Sequence, residues 1–240
     1  MSSKKERPGQ TFKMLTVDEL LGVVNEESAL DIEIAKIRPF KDHPFKVTDD
    51  QKMQDLIESI RVNGILSPAI LRTVGNDRYE MISGHRRMHA AQQLGMESIP
   101  AIVREMTDDE AVVMMVDSNI QREELLPSEK AWAFKMKMDA MKHQGATLGH
   151  GVPKWSKEEV GKESGISGRQ VNRYIRLTEL MPELLDMVDR KRVQFKVAVE
   201  ISYIDKEIQK WLYEYIKNNG PINMKQITAL RELLQLHMVI

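Results

Sequence analysis

Past Leu125 no stretch of this chain reads as a strand, whereas four short β-prone runs alternate with helical ones before it. Those runs are Ile32 to Ile37, Pro68 to Thr73, Tyr79 to Ile82 and Ile99 to Val103. The division predicts an α+β chain: a small α/β unit followed by an all-helical one. In the first unit, Thr48 starts a helix whose Met53, Leu56, Ile57 and Ile60 recur at helical spacing, and Asn63-Gly64 closes it. Gly75-Asn76-Asp77 turns one strand into the next as a hairpin. A helix follows from His85 to Leu94, and another from Asp108 to Asn119. The second unit opens with a helix from Ser128 to His143 and a glycine-bearing loop from Gln144 to Pro153. Helices starting at Ser156, Gly168, Pro182, Val197 and Lys206 complete it, with a last one from Met224 to His237. Boundaries are expected at 1–30 for a flexible arm, 31–124 for the α/β domain, 125–205 for a helical domain and 206–240 for terminal helices. Within the arm, Thr16 and Glu19 have capping-box spacing.

The most specific pattern runs from Lys157 to Leu177 and fits a helix-turn-helix. Gly165 can take the left-handed conformation of the turn, and the small Gly161 lets the helices approach. Val160, Ile166, Val171 and Tyr174 then face inward, with Ser164 the one dissenting position. The second helix presents Ser167, Gly168, Arg169, Gln170, Asn172, Arg173 and Arg176, with no acid among Ser167 to Leu177. Arginines suit phosphates and guanine edges, and Asn and Gln suit adenine edges, so double-stranded DNA is the expected ligand. Arg190, Lys191 and Arg192 would add phosphate contacts. The bland alternative is a helical hairpin with a solvated basic face.

A second candidate is the strand-glycine-helix passage Ser83, Gly84, His85, Arg86, Arg87. Free N–H groups at a helix start suit a phosphate, and arginines add directional donors. A plain structural turn fits the same residues. His85 and His89, four apart, lack a third ligand and are separated by two arginines, which disfavours zinc. Asp117, Ser118 and Asn119 offer oxygen ligands of the kind magnesium accepts beside phosphates. Methionines 114, 115, 136, 138 and 141, together with Trp132, Phe134, Trp155 and Trp211, are expected to be packing residues.

Composition narrows the classes. The chain has 240 residues, 42 % of them hydrophobic, enough for a packed core. It has no cysteine, which removes disulfides, thiolate metal sites and cysteine nucleophiles. No run approaches the ~18 apolar residues of a spanning helix, and the first residues have no apolar signal region. The formal net charge is -1, so nucleic-acid binding would rest on a local patch.

Taken in order, these motifs resemble the ParB/Spo0J family of bacterial partition proteins. The resemblance spans about Asp31 to Ile204 and is carried by Leu56 to Arg72, Ile82 to Val103, Asn119 to Ala131, the helix-turn-helix and Val188 to Ile201. It implies a ParB-like N-terminal domain binding CTP and Mg²⁺ through Ser83, Gly84, His85, Arg86, Arg87, Asn119 and Arg122, with Asn119 as the metal ligand. It further implies a homodimer closing as a sliding DNA clamp, a ParA-type ATPase meeting the N-terminal arm, and a place on the nucleoid or a plasmid in the bacterial cytoplasm, away from membranes. The chain departs from the family at His85 and Ser118, where the family has glutamate, and at His43-Pro44-Phe45, where it has Gln-Pro-Arg. These departures suggest a divergent plasmid or mobile-element branch and leave weak CTP hydrolysis open. They also leave open a transcription regulator that has lost the nucleotide switch. Relatedness in fold to sulfiredoxin and to nucleotide-using kinases raises an enzyme as a third reading, although sulfiredoxin chemistry needs a cysteine. For the family's C-terminal dimerisation region, only Met224 to Ile240 remains.

Overall fold

The computed structural model describes residues 28–75, 77–122, 125–147 and 156–237. The expected capping box at Thr16, most of the arm, and Trp155 lie outside these. The first half is built from β1 (Leu30–Glu33), β2 (Ile37–Pro39), α1 (Gln51–Asn63), β3 (Ala69–Thr73), β4 (Tyr79–Ser83), α2 (His85–Gln93), β5 (Ser98–Arg104) and α3 (Asp108–Ile120). The strands form one sheet in the order β1-β5-β3-β4-β2, with β1/β5 and β3/β4 antiparallel and β2/β4 and β3/β5 parallel. Only a 3-10 turn, Ile34–Lys36, separates the two edge strands. Four residue steps reach at most about 14 Å. A flat sheet of this width would hold its edges about 19 Å apart. The sheet is therefore curled so that its two edges approach each other.

Burial explains the register. Ile32, Leu71, Met81 and Ile99 pack on one face, with Met88 and Ala91 of α2. The helix expected from Thr48 starts instead at Gln51, because Asp50 is the cap: its carboxylate accepts the Met53 N–H at 2.8 Å, and Thr48 donates its hydroxyl to Asp50 at 3.2 Å. Gly64, at φ 69°, ends α1. Met53, Ile57 and Ile60 bury against Ala90 of α2.

The second half is all helix: α4 (Pro127–Thr147), α5 (Lys157–Glu163), α6 (Gly168–Leu177), α7 (Pro182–Asp189), α8 (Phe195–Ile201), α9 (Lys206–Asn219) and α10 (Met224–His237). The α+β reading thus holds. Two boundaries differ from the sequence expectation. Residues 144–147 continue α4 rather than forming a loop, since a single interior glycine costs a helix only about 1 kcal/mol. Helix α8 begins at Phe195, whose ring meets Tyr174 at 4.9 Å.

Helix α3 joins the halves. Its Met115 and Val116 pack with Phe40, Phe45 and Ile82, while Val113 and Ile120 lie against Phe134 and Met138 of α4. The methionines are core, as expected, with 115, 138 and 141 fully buried and 114 and 136 packed beside them. Two of the tryptophans are not: Trp132 is 42 % exposed and Trp211 78 %. Their helices bury neighbouring positions instead, Ala131 and Phe134 in α4 and Leu212 and Ile216 in α9.

Candidate nucleic-acid interface and phosphate turn

The helix-turn-helix is assembled by close approach. Ser156 and Glu159 form a capping box at the start of α5. Gly165 turns the chain at φ 70°, and the Ile166 N–H returns to Gly161 O at 2.8 Å. A Cβ on Gly161 would sit 2.6 Å from Ile166 O, and one on Gly168 would sit 2.8 Å from Glu158 N. Side chains at either place would push the two helices apart. Ser164, polar where an apolar residue was expected, is the C-cap of α5 and only half-buried, so no core position is lost.

Val171 and Leu177 are buried beneath α6, while Ser167, Arg169 and Arg173 are exposed and Gln170 and Asn172 half-buried. Ser167 caps the helix by accepting the Gln170 N–H at 3.2 Å. Gly168 is buried against α5 and has no side chain to offer a ligand. Arg176 is turned inward: its guanidinium donates to the Ser202 hydroxyl at 3.3 Å and to the Ser202 carbonyl, and stacks 4.1 Å from the Tyr203 ring. The exposed cations of α6 are therefore Arg169 and Arg173. The amide oxygen of Asn172 accepts from Lys157 Nζ, 2.5 Å away on α5, a pairing sequence spacing did not indicate. Lys191 and Arg192 are exposed on the turn after α7, with Lys191 at φ 58°.

At the other candidate, Gly84 is the N-cap of α2 at φ 116°, and a Cβ there would meet Ala69 Cβ at 3.0 Å. The turn needs glycine both for its backbone and for the space. The adjoining cavity of about 580 Å³ is lined by Lys46, Lys52, Arg86 and Arg122 together with Asp50 and Glu129. Of the residues expected from sequence, only Arg86 and Arg122 line it. Arg86 reaches Asp50 at 3.3 Å. Burial, then repulsion from Arg86, depresses the Arg122 pKa, which favours an anionic occupant. Arg87 instead bonds the carbonyls of Ser67 and Pro68, the latter at 2.8 Å, and so pins the loop ahead of β3. Ser83 ends β4. Lys46, Lys52 and Glu129 were missed because they are brought in from the loop before α1, from α1 itself and from α4.

His85 is buried, and its ring stacks on His43 at 3.8 Å between centroids. Burial lowers both pKa values, to about 3 for His85 and about 4 for His43, and Arg122 adds to the effect. Both are neutral at pH 7, and the Nε2 of each is buried with no protein partner.

A nucleoside triphosphate fits the cavity by charge and size. Magnesium fits less well. Asn119 is 3 % exposed, and its amide nitrogen donates to Met115 O at 2.8 Å. Glu129 accepts the backbone N–H groups of Lys46 and Leu126, at 2.7 and 2.8 Å, and Asp50 is taken up by its cap. Among the described residues no group of three or more His, Asp or Glu side chains could hold a metal. A magnesium ion here would thus draw most of its ligands from phosphates and water rather than from the protein.

Residues 11–120 match the family described as the ParB N-terminal domain. The chain is 31 % identical over 234 residues to the chromosome-partitioning protein Spo0J of Thermus thermophilus, covering 98 % of this chain and 79 % of that protein. It is 29 % identical over 223 residues to the nucleoid occlusion protein of Listeria monocytogenes, covering 91 % and 73 %. Its fold is similar to that of C-terminally truncated ParB from Caulobacter crescentus, solved in complex with the centromeric parS site, with a TM-score of 0.51, 23 % identity, and coverage of 84 % of this chain and 97 % of that one. With this extent of identity across nearly its whole length, the chain belongs to the ParB/Spo0J family of chromosome-partitioning proteins.

Proposed function

We propose that this chain is a site-specific double-stranded DNA-binding protein of the partition type, reading DNA through α6. The observation that carries this is the pairing of a tightly seated α5/α6 unit with Arg169 and Arg173 exposed on the side of α6 away from Val171. Arginines on such a helix contact phosphates and guanine edges. The relatives named above are partitioning and nucleoid proteins, and the Caulobacter protein is complexed to a centromeric site. The domain division at about 124 and 205, a homodimeric sliding clamp and a ParA-type partner for residues 1–30 belong to the same reading, as does a plasmid or mobile-element origin. The test is selection of duplexes from a random pool, followed by anisotropy at several salt concentrations. Affinity falls with salt, and Arg173→Ala weakens binding at least about tenfold. An Arg173→Ala variant that binds the selected site unchanged removes α6 from the interface.

The cavity beside Gly84 is assigned to a nucleoside triphosphate, CTP by family resemblance. Calorimetry with CTP, ATP, GTP and UTP, with and without Mg²⁺, tests it. Arg86→Ala removes a cavity-lining cation and abolishes binding, whereas Leu66→Ala, at an exposed position outside the cavity lining, leaves it intact. A second reading, a DNA-binding regulator without a nucleotide switch, is favoured by one observation: neutral, stacked His43 and His85 occupy the foot of the turn. Absence of binding by all four nucleotides, with DNA recognition retained, selects that reading.

A further inference from the structure

The Lys157–Asn172 contact changes what α6 can read. An asparagine amide offers one acceptor and one donor edge, the pair that matches adenine N6 and N7. Here one of the two lone pairs of the acceptor is already engaged by a cation. Lys157 Nζ donates to Asn172 Oδ1 at 2.5 Å, and both side chains lie on the exposed side of the motif. The amide nitrogen is then turned away from the lysine as a donor, and the ammonium keeps two further N–H donors beside it. The contact joins two helices whose relative position is fixed by backbone. Gly168 at the start of α6 lies where a Cβ would stand 2.8 Å from Glu158 N and 2.9 Å from Lys157 C. Lys157 is also the first residue of α5, directly after its Ser156 cap. The lysine therefore projects from an anchored point.

We propose that Lys157 is a specificity-determining residue: it locks Asn172 into a donor-only pair that selects guanine, with its two major-groove acceptors O6 and N7, and rejects adenine. This rests on the reading of α6 as the DNA-reading helix. Adenine presents an N6–H donor to the same position, where it would face N–H donors from both side chains and have to share the amide oxygen with the lysine. Without the lysine, Asn172 regains its ordinary preference for adenine.

The test is binding-site selection from a random duplex pool with the wild type, Lys157→Met, Lys157→Arg and Asn172→Ala, each then titrated against the selected site and its single-base variants. The wild type prefers guanine at one base pair by about tenfold or more, the scale of a bidentate base contact. Asn172→Ala loses discrimination at that pair alone and so locates it. Lys157→Met, which keeps the stem and loses the donor, switches that pair to adenine, and Lys157→Arg keeps guanine. If Lys157→Met selects the wild-type base, the inference is overturned. It is equally overturned if Lys157→Met weakens all duplexes uniformly and lowers the salt slope by about one, because the lysine would then be a phosphate contact. A wild type that enriches no sequence overturns the DNA-reading assignment of α6 itself, and this inference with it.

Discussion

Lys137 of α4 is 1 % exposed, and its ammonium lies 2.6 Å from the Glu163 carboxylate at the end of α5. The same nitrogen lies 2.5 Å from Asp117 of α3. One buried cation thus ties the last helix of the sheet-bearing half to the first helix of the helix-turn-helix. Gln121 adds a bond to the Glu163 carbonyl at 3.0 Å. Removing a partner from a buried pair typically costs 3–5 kcal/mol. Both acids are nearly half exposed, at 47 % and 46 %, so water replaces part of what the lysine supplied. Lys137→Ala is expected to lower stability by about 2 kcal/mol in urea unfolding. Lys137→Met, which fills the space and removes the cost of burying a charge, loses less than half of that. Equal losses for the two variants would mean that charge alone, and not packing, holds this junction.

Gly161 is the most demanding position of the helix-turn-helix. Adding a Cβ places it 2.6 Å from the Ile166 carbonyl, which is backbone and cannot swing aside. Gly161→Ala is expected to lower stability by about 1–3 kcal/mol, the usual cost of overpacking. It should also weaken DNA binding, because α6 must shift. Thermal melting and anisotropy check both. Substituting Gly145 in α4, a position inside a helix, should instead leave binding unchanged.

Lys191 gives effects of opposite sign in one substitution. Its φ of 58° closes α7, where the Arg192 N–H bonds Met187 O at 2.8 Å. A left-handed conformation costs a non-glycine residue about 1 kcal/mol, and glycine relieves it. Lys191→Gly is expected to raise the melting temperature. If the lysine meets a DNA phosphate, the same change lowers the salt slope of binding by about 0.9. Lys191→Asn separates the two effects, since asparagine tolerates the backbone without carrying the charge.

The stacked histidines make stability depend on mild acid. Unfolded histidine takes up a proton near pH 6.5, whereas His43 and His85 do so only near pH 4 and 3 in the folded chain. Between those limits the unfolded state binds more protons, so stability falls as the pH falls. The slope reaches up to about 1.4 kcal/mol per pH unit for each histidine. Carboxylates held down by hydrogen bonds, such as Asp50 by the Met53 N–H, act in the same direction but nearer their own lower pKa values. Urea midpoints between pH 7 and 5.5 should therefore report mainly the histidines, and His85→Gln should roughly halve the slope. A midpoint flat across that range would mean that the pair titrates in the folded chain as it does in the unfolded one.

Much of this was readable from sequence because it is local. The helix-turn-helix follows from Val160, Gly161, Gly165 and Val171, residues whose roles are set within one supersecondary unit. Gly84 and the helix after it follow from one turn. What was not readable depends on tertiary approach. Arg87 is identical in chemistry to Arg86, yet it bonds the carbonyls ahead of β3 while Arg86 lines the cavity. Arg176 continues the spacing of Arg169 and Arg173, but α8 ends beside it and Ser202 captures its guanidinium. The helix expected to start at Thr48 starts at Gln51 with Asp50 as its cap, because Thr and Asp both suit a helix start and only the packing of Met53 against α2 selects between them.

The curl of the sheet has a consequence for how the protein is guarded against misassembly. A sheet ordinarily exposes two rows of unpaired backbone groups on which a foreign strand can grow. Here both outer rows belong to one ten-residue stretch, Leu30 to Pro39, bent at Ile34–Lys36. The rims are completed by the same segment, so detaching it would uncover β5 and β4 together rather than one of them. Protection against strand addition thus depends on this single strap, and a protease cut within it would open both sides of the sheet to aggregation.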